Sequence, residues 1–223
     1  MKQSANFMVA ENVYTEPRRA YEKPRNRRMK KLTGLAVGCV MILAFQACND
    51  GSTDAIRSAN ESNEIKQDSS NAMGAPQTPV SENDSKFAVE AASGGMMEVQ
   101  LGQLAQQKAS SQRVKDFGAM MVRDHSKAND QLESLAGMKN ITLPPAPGED
   151  HMDHIQQLTQ KSGAEFDKDY IRFMVDDHEK DIKAFEKIST DGSDSDLRAF
   201  ATEILPTLRT HLDSAKAIQE SLK

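Results

Sequence analysis

Four side chains that can bind a metal ion or transfer a proton occupy apolar positions of the sequence pattern: Glu98, His125, His178 and His211. Each stands in a run of apolar residues spaced three and four apart, which is the stripe that a helix buries. A buried carboxylate or imidazole is costly alone, so we expect these side chains to contact one another or a shared ion. Carboxylates and imidazoles are ordinary ligands of divalent transition metals, and the sequence therefore predicts a metal site here.

The same four residues also fit a protein that binds no ion. A buried, hydrogen-bonded polar cluster fixes the register of packed helices, and such a protein would be a structural or interaction module. The sequence shows no Gly-rich phosphate loop, serine nucleophile motif or cysteine ligand set. We therefore expect a binding or structural protein rather than an enzyme.

The distances of these residues from the predicted helix turns indicate which of them can meet. Glu98 and His125 lie about 12 and 14 residues from their turn, a difference of roughly 3–5 Å along the helix axis, so they can be neighbours. His178 and His211 lie about 14 and 19 residues from theirs, which leaves an offset of roughly 7 Å. The sequence therefore predicts that His211 lies further from the cluster than the other three residues.

Two aspartates directly precede core histidines within a short repeat, M-V-x-D-H-x-K, at residues 121–127 and 174–180. Neighbouring residues on a helix point about 100° apart, so Asp124 and Asp177 are predicted to hydrogen-bond the histidines from outside or to face solvent. The same repeat places Met121 and Met174 one turn before the histidines. This spacing suits a soft copper ion, but it also suits ordinary core packing.

A second pair of histidines, His151 and His154, is spaced three apart beside two aspartates and could chelate a metal. The pair follows a loop that contains Pro144, Pro145 and Pro147. We predict that both histidines are exposed to solvent.

The spacing of apolar residues predicts four long helices and no strands. Their expected ranges are 85–109, 111–138, 163–189 and 194–221, with a further short helix at 149–160. Turn-forming residues join the first two and the last two helices into tight hairpins. The long proline-rich connection lets the second and third helices run parallel. The prediction is an all-α, ferritin-like four-helix bundle made of two hairpins joined by a long crossover. Pro206 should kink the last helix or remove one of its backbone bonds.

The N-terminal region has a different composition. Residues 25–31 are basic and residues 32–45 are apolar, which is typical of a secretory signal. Cys48 follows Ala47 and precedes polar sequence, a pattern that resembles a lipobox with Cys48 as the lipidated residue. Cys39 is a rival position, but it would leave an apolar stretch too short for export. A transmembrane anchor is the other alternative, although the run is shorter than the roughly 20 residues that span a bilayer.

These features divide the chain into three predicted parts. Residues 1–47 are a cytoplasmic flank plus a lipoprotein signal peptide, with translation starting at Met1 or Met29. Residues 48–85 are mostly Ser, Asn, Asp, Glu and Gln, a composition that predicts a disordered tether. Residues 86–223 form the bundle. We therefore expect an exported, lipid-anchored protein on the periplasmic face or surface of the bacterial envelope, attached most simply to the outer membrane.

Net charge excludes one class of partner. The chain has 28 Lys and Arg and 33 Asp and Glu, but nine of the basic and only three of the acidic residues precede residue 48. The exported part is therefore strongly acidic and repels phosphate backbones, so we expect no binding to nucleic acid. Both cysteines precede the predicted domain, so it contains no disulfide bond.

Several motifs resemble a known bacterial family. They are Ala91-Ala92-Ser93-Gly94-Gly95 with Glu98 and Leu101-Gly102, Met121 with Asp124-His125, Phe166-Asp167 with Tyr170, Met174 with His178, and Leu205-Pro206-Thr207-Leu208-Arg209 with His211. Through them, residues 87–220 resemble the domain of unknown function 4142 family, whose members are described as ferritin-like and often as predicted outer-membrane proteins. The resemblance implies the fold and the envelope location, and it brings no established activity or metal.

One ferritin feature is missing from the sequence. The di-iron pattern places a Glu three residues before a His on two helices, whereas here Leu208 stands three residues before His211. This departure argues against ferroxidase chemistry.

Overall fold

The computed structural model describes residues 54–73 and 80–223, which lie in the compact unit Cys48–Lys223. The predicted signal sequence, Cys39 and the proposed lipidation site Cys48 lie outside the described residues. The described part contains six helices and no strand, which confirms the all-helical class: α1 (Ala55–Met73), α2 (Glu82–Lys108), α3 (Gln112–Lys139), α4 (Glu149–Thr159), α5 (Gly163–Asp191) and α6 (Ser195–Ser221). Within those residues, no helix is both long and apolar enough to cross a bilayer.

The helix ends follow from local capping chemistry. Ser81 caps α2 by accepting the backbone N–H of Asp84, and Asp194 caps α6 by accepting those of two residues in its first turn. Asn140 ends α3 in the left-handed conformation, with φ at 56°. These signals explain why the four long helices match the predicted ranges to within three residues at every end. α6 continues through Pro206 as a single helix.

The N-terminus of α3 is capped by another helix. Ser111 makes no capping bond with its own side chain. Asp167 of α5 instead accepts the backbone N–H groups of Ser110 and Ser111, at 3.1 and 2.9 Å, and the Ser110 hydroxyl. The carboxylate thereby binds N–H groups at a helix N-terminus, where negative charge is favoured, and ties the α2–α3 turn to α5.

The four long helices pack as two hairpins against each other. α2 packs on α3 and α5 on α6, and the hairpins meet where α2 contacts α5 and α3 contacts α6. Phe117 of α3 lies against Tyr170 of α5, and about two turns further along both helices His125 lies against His178. α3 and α5 therefore run in the same direction, and the connection that carries α4 spans the length of the hairpins.

The core consists of two apolar clusters on either side of a polar layer. One cluster includes Met97, Leu101, Met121, Phe166, Tyr170, Met174 and Ile218, and the other includes Phe87, Leu132, Phe185, Phe200, Leu205 and Leu208. Along α3, α5 and α6 one histidine separates the residues of the first cluster from those of the second. The polar layer is therefore enclosed above and below by apolar side chains.

A pair of glycines sets the distance between α2 and α3. A Cβ on Gly102 would lie 2.6 Å from the carbonyl oxygen of Gly118, and one on Gly118 would lie 2.7 Å from that of Gly102. The two backbones are thus in direct contact one turn from Glu98. This close crossing brings the α2 and α3 side chains of the polar layer within hydrogen-bonding distance.

The prediction of a disordered tether over residues 48–85 is wrong for Ala55–Met73, which form helix α1. Asn63 of α1 donates to the carbonyl of Thr142 at 3.0 Å and accepts the backbone N–H of Thr142 at 2.7 Å. Asp54 accepts the backbone N–H of Glu149 at 2.8 Å. Composition did not reveal this helix, because side-chain hydrogen bonds and a buried alanine, Ala59, hold it rather than a broad apolar face.

Candidate metal centre

The structure brings together the four residues that the sequence singled out. His125 Nδ1 lies 2.6 Å from Glu98 Oε2, and His178 Nε2 lies 3.5 Å from Glu98 Oε1. His178 Nε2 also lies 3.3 Å from His211 Nδ1. The four residues are between 0% and 6% exposed, so the cluster is almost completely removed from solvent.

Two of the histidines each bind an oxygen acceptor with their outer ring nitrogen. His178 Nδ1 lies 3.0 Å from the carbonyl oxygen of Met174, which can only accept a hydrogen bond. His211 Nε2 lies 3.0 Å from Asp124 Oδ2. Burial raises the pKa of Asp124, but hydrogen bonds from Arg123 and His211 outweigh burial and hold this pKa below its usual value. Asp124 is therefore an ionised acceptor, and both outer nitrogens carry the ring proton.

The inner nitrogens of these two rings then face each other with lone pairs. In a neutral imidazole only one nitrogen carries hydrogen, so His178 Nε2 and His211 Nδ1 are both acceptors. Their separation of 3.3 Å is a hydrogen-bond distance, yet neither atom has a proton to donate. A proton or a metal ion between the two nitrogens would remove the repulsion between their lone pairs.

The pKa values of the histidines argue against a proton in that position. Burial lowers the pKa of His125 to about 4. Burial also lowers the pKa of His211 to about 4, although Asp124 opposes the shift. The pKa of His178 falls well below its usual value, through burial and through the neighbouring imidazoles His125 and His211. At neutral pH all three rings are therefore neutral.

The third histidine adds another inward-facing atom. His125 Nδ1 is held by Glu98, and His125 Nε2 is buried without any hydrogen-bond partner in the described structure. The three histidines each offer one ligand atom, and these atoms lie within 4.8 Å of one another. In a tetrahedral site with metal–nitrogen distances of about 2.0–2.1 Å, two ligand nitrogens lie roughly 3.3 Å apart. The spacing between His178 and His211 matches this geometry.

One carboxylate oxygen of Glu98 has a hydrogen-bond partner and the other has none among the described residues. Its Oε2 contacts His125, whereas Oε1 is buried without a hydrogen-bond partner in the described structure. Burial raises the pKa of Glu98 well above its usual value. A metal ion on His125 Nε2 would leave the proton on Nδ1 and favour the ionised form of Glu98, because the carboxylate accepts that proton and is close to the ion.

The two aspartates of the short repeat behave differently. Asp124 hydrogen-bonds His211 from outside, one of the two roles predicted for it. Asp177 instead has a buried Oδ2 without a hydrogen-bond partner in the described residues. Burial, with the charges of Asp181 and Glu98, raises the pKa of Asp177 well above its usual value.

Asp181 belongs to the same acidic group and was not singled out from the sequence. Burial raises its pKa to about 7, and the charge of Glu98 contributes to the shift. Asp181 lies one turn after Asp177 on α5. Residues four apart share a helix face, and this spacing is the sequence signal that could have identified Asp181.

The prediction that His151 and His154 are exposed is wrong, because α4 packs them against the longer helices and leaves both half-buried. Ser93 Oγ accepts the backbone N–H of Gly148 at 2.8 Å and is hydrogen-bonded to His151 Nδ1 at 2.6 Å. The ring of His154 lies 4.4 Å from that of Phe173. Both histidines are therefore engaged in packing α4 onto its neighbours.

The methionines of the repeat are ordinary core residues in this arrangement. Met121 and Met174 are fully buried and belong to the first apolar cluster. Core packing is therefore sufficient to explain both methionines, and no metal ion is needed to explain them.

Two cavities are lined by residues of the cluster. One, of about 110 Å³, is lined by Glu90, Glu98, His125, Asp177 and Asp181 together with apolar residues of the second cluster. The other, of about 100 Å³, is lined by Asp124, His125, His211, Lys127, Glu203 and their neighbours. Small ions therefore have room to approach the histidines.

Comparisons with known proteins agree with the fold. The model of DUF4142, a domain of unknown function, matches residues 69–218. A comparison with curated proteins found no match. Among solved structures, a DUF305 fragment from Deinococcus radiodurans is similar, with a TM-score of 0.56 and 12% identity over 64% of this chain and 99% of that one. CopM in its Cu(II)-bound form is similar with a TM-score of 0.54 and 14% identity, over 63% of this chain and 97% of that one.

Proposed function

Since the chain belongs to the DUF4142 family, which is described as a domain of unknown function, we propose its activity from the site itself. The protein binds one divalent transition-metal ion through His125, His178 and His211. Its four long helices are a ferritin-like four-helix bundle that holds this ion in its interior. The observation that carries the proposal is the 3.3 Å separation of His178 Nε2 and His211 Nδ1, two ring nitrogens whose ring partners already face oxygen acceptors.

Oxygen acceptors around the three rings support the proposal. The Glu98 carboxylate, the Met174 carbonyl and the Asp124 carboxylate each bind the outer nitrogen of one ring. Such contacts fix the tautomer and orientation of ligating histidines and raise their basicity. Glu98 Oε1, which is unpartnered and 3.5 Å from His178 Nε2, is placed to become a fourth ligand.

The donor set favours a borderline metal. Neutral imidazoles suit Zn²⁺, Cu²⁺, Ni²⁺ and Fe²⁺, and a carboxylate oxygen is compatible with each. CopM, a protein of similar fold, is described as Cu(II)-bound, which is a reason to include Cu²⁺ among the ions tested. The proposed role is to hold such an ion for sequestration, sensing or redox protection.

The structural alternative requires that the buried polar atoms of the cluster hydrogen-bond one another. A polar cluster that served only to fix helix register would be stable when all of its buried groups were hydrogen-bonded. Here His125 Nε2 and Glu98 Oε1 are buried without a hydrogen-bond partner in the described structure. A bound ion would satisfy both atoms, which is why we favour the metal centre.

Chelator and metal titration of the untagged protein separate the two functions. An ion at 1,000 times its Kd should raise the free energy of unfolding by about 4 kcal/mol, and the chelator should remove this increment. His178→Ala should lose the increment for Zn²⁺ and Cu²⁺. His154→Ala, which removes a half-buried imidazole outside the cluster, should keep it. Identical melting curves with chelator and with Zn²⁺, Cu²⁺, Ni²⁺ or Fe²⁺ would establish the structural alternative.

We also propose that Cys48 carries a lipid and anchors the protein in the bacterial envelope. The support is the sequence alone: a basic run, an apolar run, and Ala47 before the cysteine. Labelled palmitate should enter the wild-type protein and the Cys39→Ser variant. Cys48→Ser should lose both the label and the membrane fraction, and label retained by Cys48→Ser would refute the assignment.

A further inference from the structure

A group of carboxylates lies beside the histidine centre, on the side of α5. Glu98 Oε1 and Asp177 Oδ2 are both buried without a hydrogen-bond partner in the described structure. Glu98, Asp177 and His178 each offer one ligand atom, and these atoms lie within 4.8 Å of one another. Glu98 is only 1% exposed.

The surroundings of these oxygens are acidic. Asp181 lies one turn along α5 from Asp177, and both line the 110 Å³ cavity with Glu98 and Glu90. Among the described residues that line this cavity there is no lysine or arginine. Like charges held close together in a poorly solvated site repel strongly, and a cation among them reverses that interaction.

We propose that Glu98 and Asp177, with Asp181 lining the same cavity, form a second cation position, which takes an oxygen-preferring divalent ion of the Mn²⁺ or Mg²⁺ class. Carboxylate oxygens are the ligands that such ions prefer, whereas the histidine centre offers mainly nitrogen. The position goes beyond the proposed histidine centre, because it needs Glu98 and Asp177 but neither His125 nor His211. When both positions are filled, Glu98 lies between the two ions.

Manganese provides a direct test, because free Mn²⁺ gives an electron paramagnetic resonance signal that decreases on binding. The untagged full chain should bind one Mn²⁺ per chain at this position. His211→Ala removes one ligand of the histidine centre and should leave this binding within about threefold. Asp177→Asn should weaken it at least tenfold, whereas Asp176→Asn, the same charge change at an exposed neighbour, should leave it unchanged.

The outcomes separate the two positions. No Mn²⁺ binding at millimolar concentration, or equal binding by Asp177→Asn and Asp176→Asn, would overturn the carboxylate position. If Asp177→Asn fails to fold, Asp181→Asn replaces it, and wild-type Mn²⁺ affinity in that variant would overturn the proposal. Stabilisation of either variant by Zn²⁺ measures metal binding at the histidine centre alone. The two experiments therefore show separately whether the histidine centre and the carboxylate position bind an ion.

Discussion

Asp167 and Glu98 are equally buried, each with 1% of its surface exposed, yet their surroundings are opposite. Asp167 accepts two backbone N–H groups and one hydroxyl at the α2–α3 turn. Glu98 has one oxygen on His125 and one without a hydrogen-bond partner in the described structure. Burial alone therefore does not distinguish a carboxylate that holds the fold from one that is available to a ligand. The number of hydrogen bonds that each carboxylate accepts distinguishes the two.

The difference has a simple physical origin. The backbone donors that Asp167 binds belong to Ser110 and Ser111, the two residues directly before α3, whose N–H groups are not used by the hydrogen bonds of the helix. The partners of Glu98 are imidazoles, which carry only one proton each when neutral. When Glu98 is ionised, three rings that use their protons on outer acceptors leave the centre of the polar layer short of donors.

The largest expected effect is that of Asp167→Asn. Every partner of Asp167 is a donor, so an amide NH₂ group must face one of them and lose its bond. We expect the free energy of unfolding to fall by about 3 kcal/mol, since bonds to a charged acceptor and an unpaired buried donor each contribute 1–3 kcal/mol. Urea unfolding measures the change, with Asp176→Asn as the exposed control on the same helix. A loss below about 0.5 kcal/mol would contradict the capping role.

The matched change Glu98→Gln should not lower the free energy of unfolding of the chelator-treated protein, in contrast to Asp167→Asn. An amide oxygen can still accept from His125, and the NH₂ group can donate to the lone pair on His178 Nε2. We expect the free energy of unfolding to stay the same or rise by about 1 kcal/mol. Metal affinity should fall by about 10- to 100-fold, because the carboxylate no longer supports the ligands. Destabilisation as large as that of Asp167→Asn would show that the two sites are alike.

A smaller, pH-dependent effect is expected for Asp181→Asn in the metal-free protein. Its folded pKa of about 7 lies above the unfolded value of 3.8. The unfolded state therefore loses the proton first, and wild-type stability from this group decreases as pH rises from about 4 to about 7. Asparagine does not titrate, so the variant should gain stability over wild type as pH rises, by more at pH 8 than at pH 4.5. A gain that grows towards low pH would contradict the raised pKa.

The sequence could predict the four long helices and the four central residues, because both depend on local spacing. Apolar residues three and four apart define each buried stripe, and a polar residue within a stripe must meet other polar groups. The expected offset of roughly 7 Å for His211 was too large, because counting from approximate turns exaggerates errors in the helix ends. In the structure His211 lies 3.3 Å from His178.

Other features depend on tertiary contacts that spacing does not encode. The burial of His151 follows from the docking of α4 against Ser93. The donor shortage in the polar layer follows from which ring nitrogen each outer acceptor takes, and this requires coordinates. Neither could be derived from the order of residues along one helix.

Helix α1 determines where this protein can be shortened. A boundary drawn at residue 86, where the sequence predicted the domain to begin, would remove the Asn63 side chain that binds both backbone groups of Thr142. It would also remove the Asp54 carboxylate from the first turn of α4, whose His151 contacts Ser93. A recombinant fragment for metal titration should therefore begin before Asp54. A fragment that begins later would expose buried backbone, and its melting curve would report a truncated fold rather than the native site.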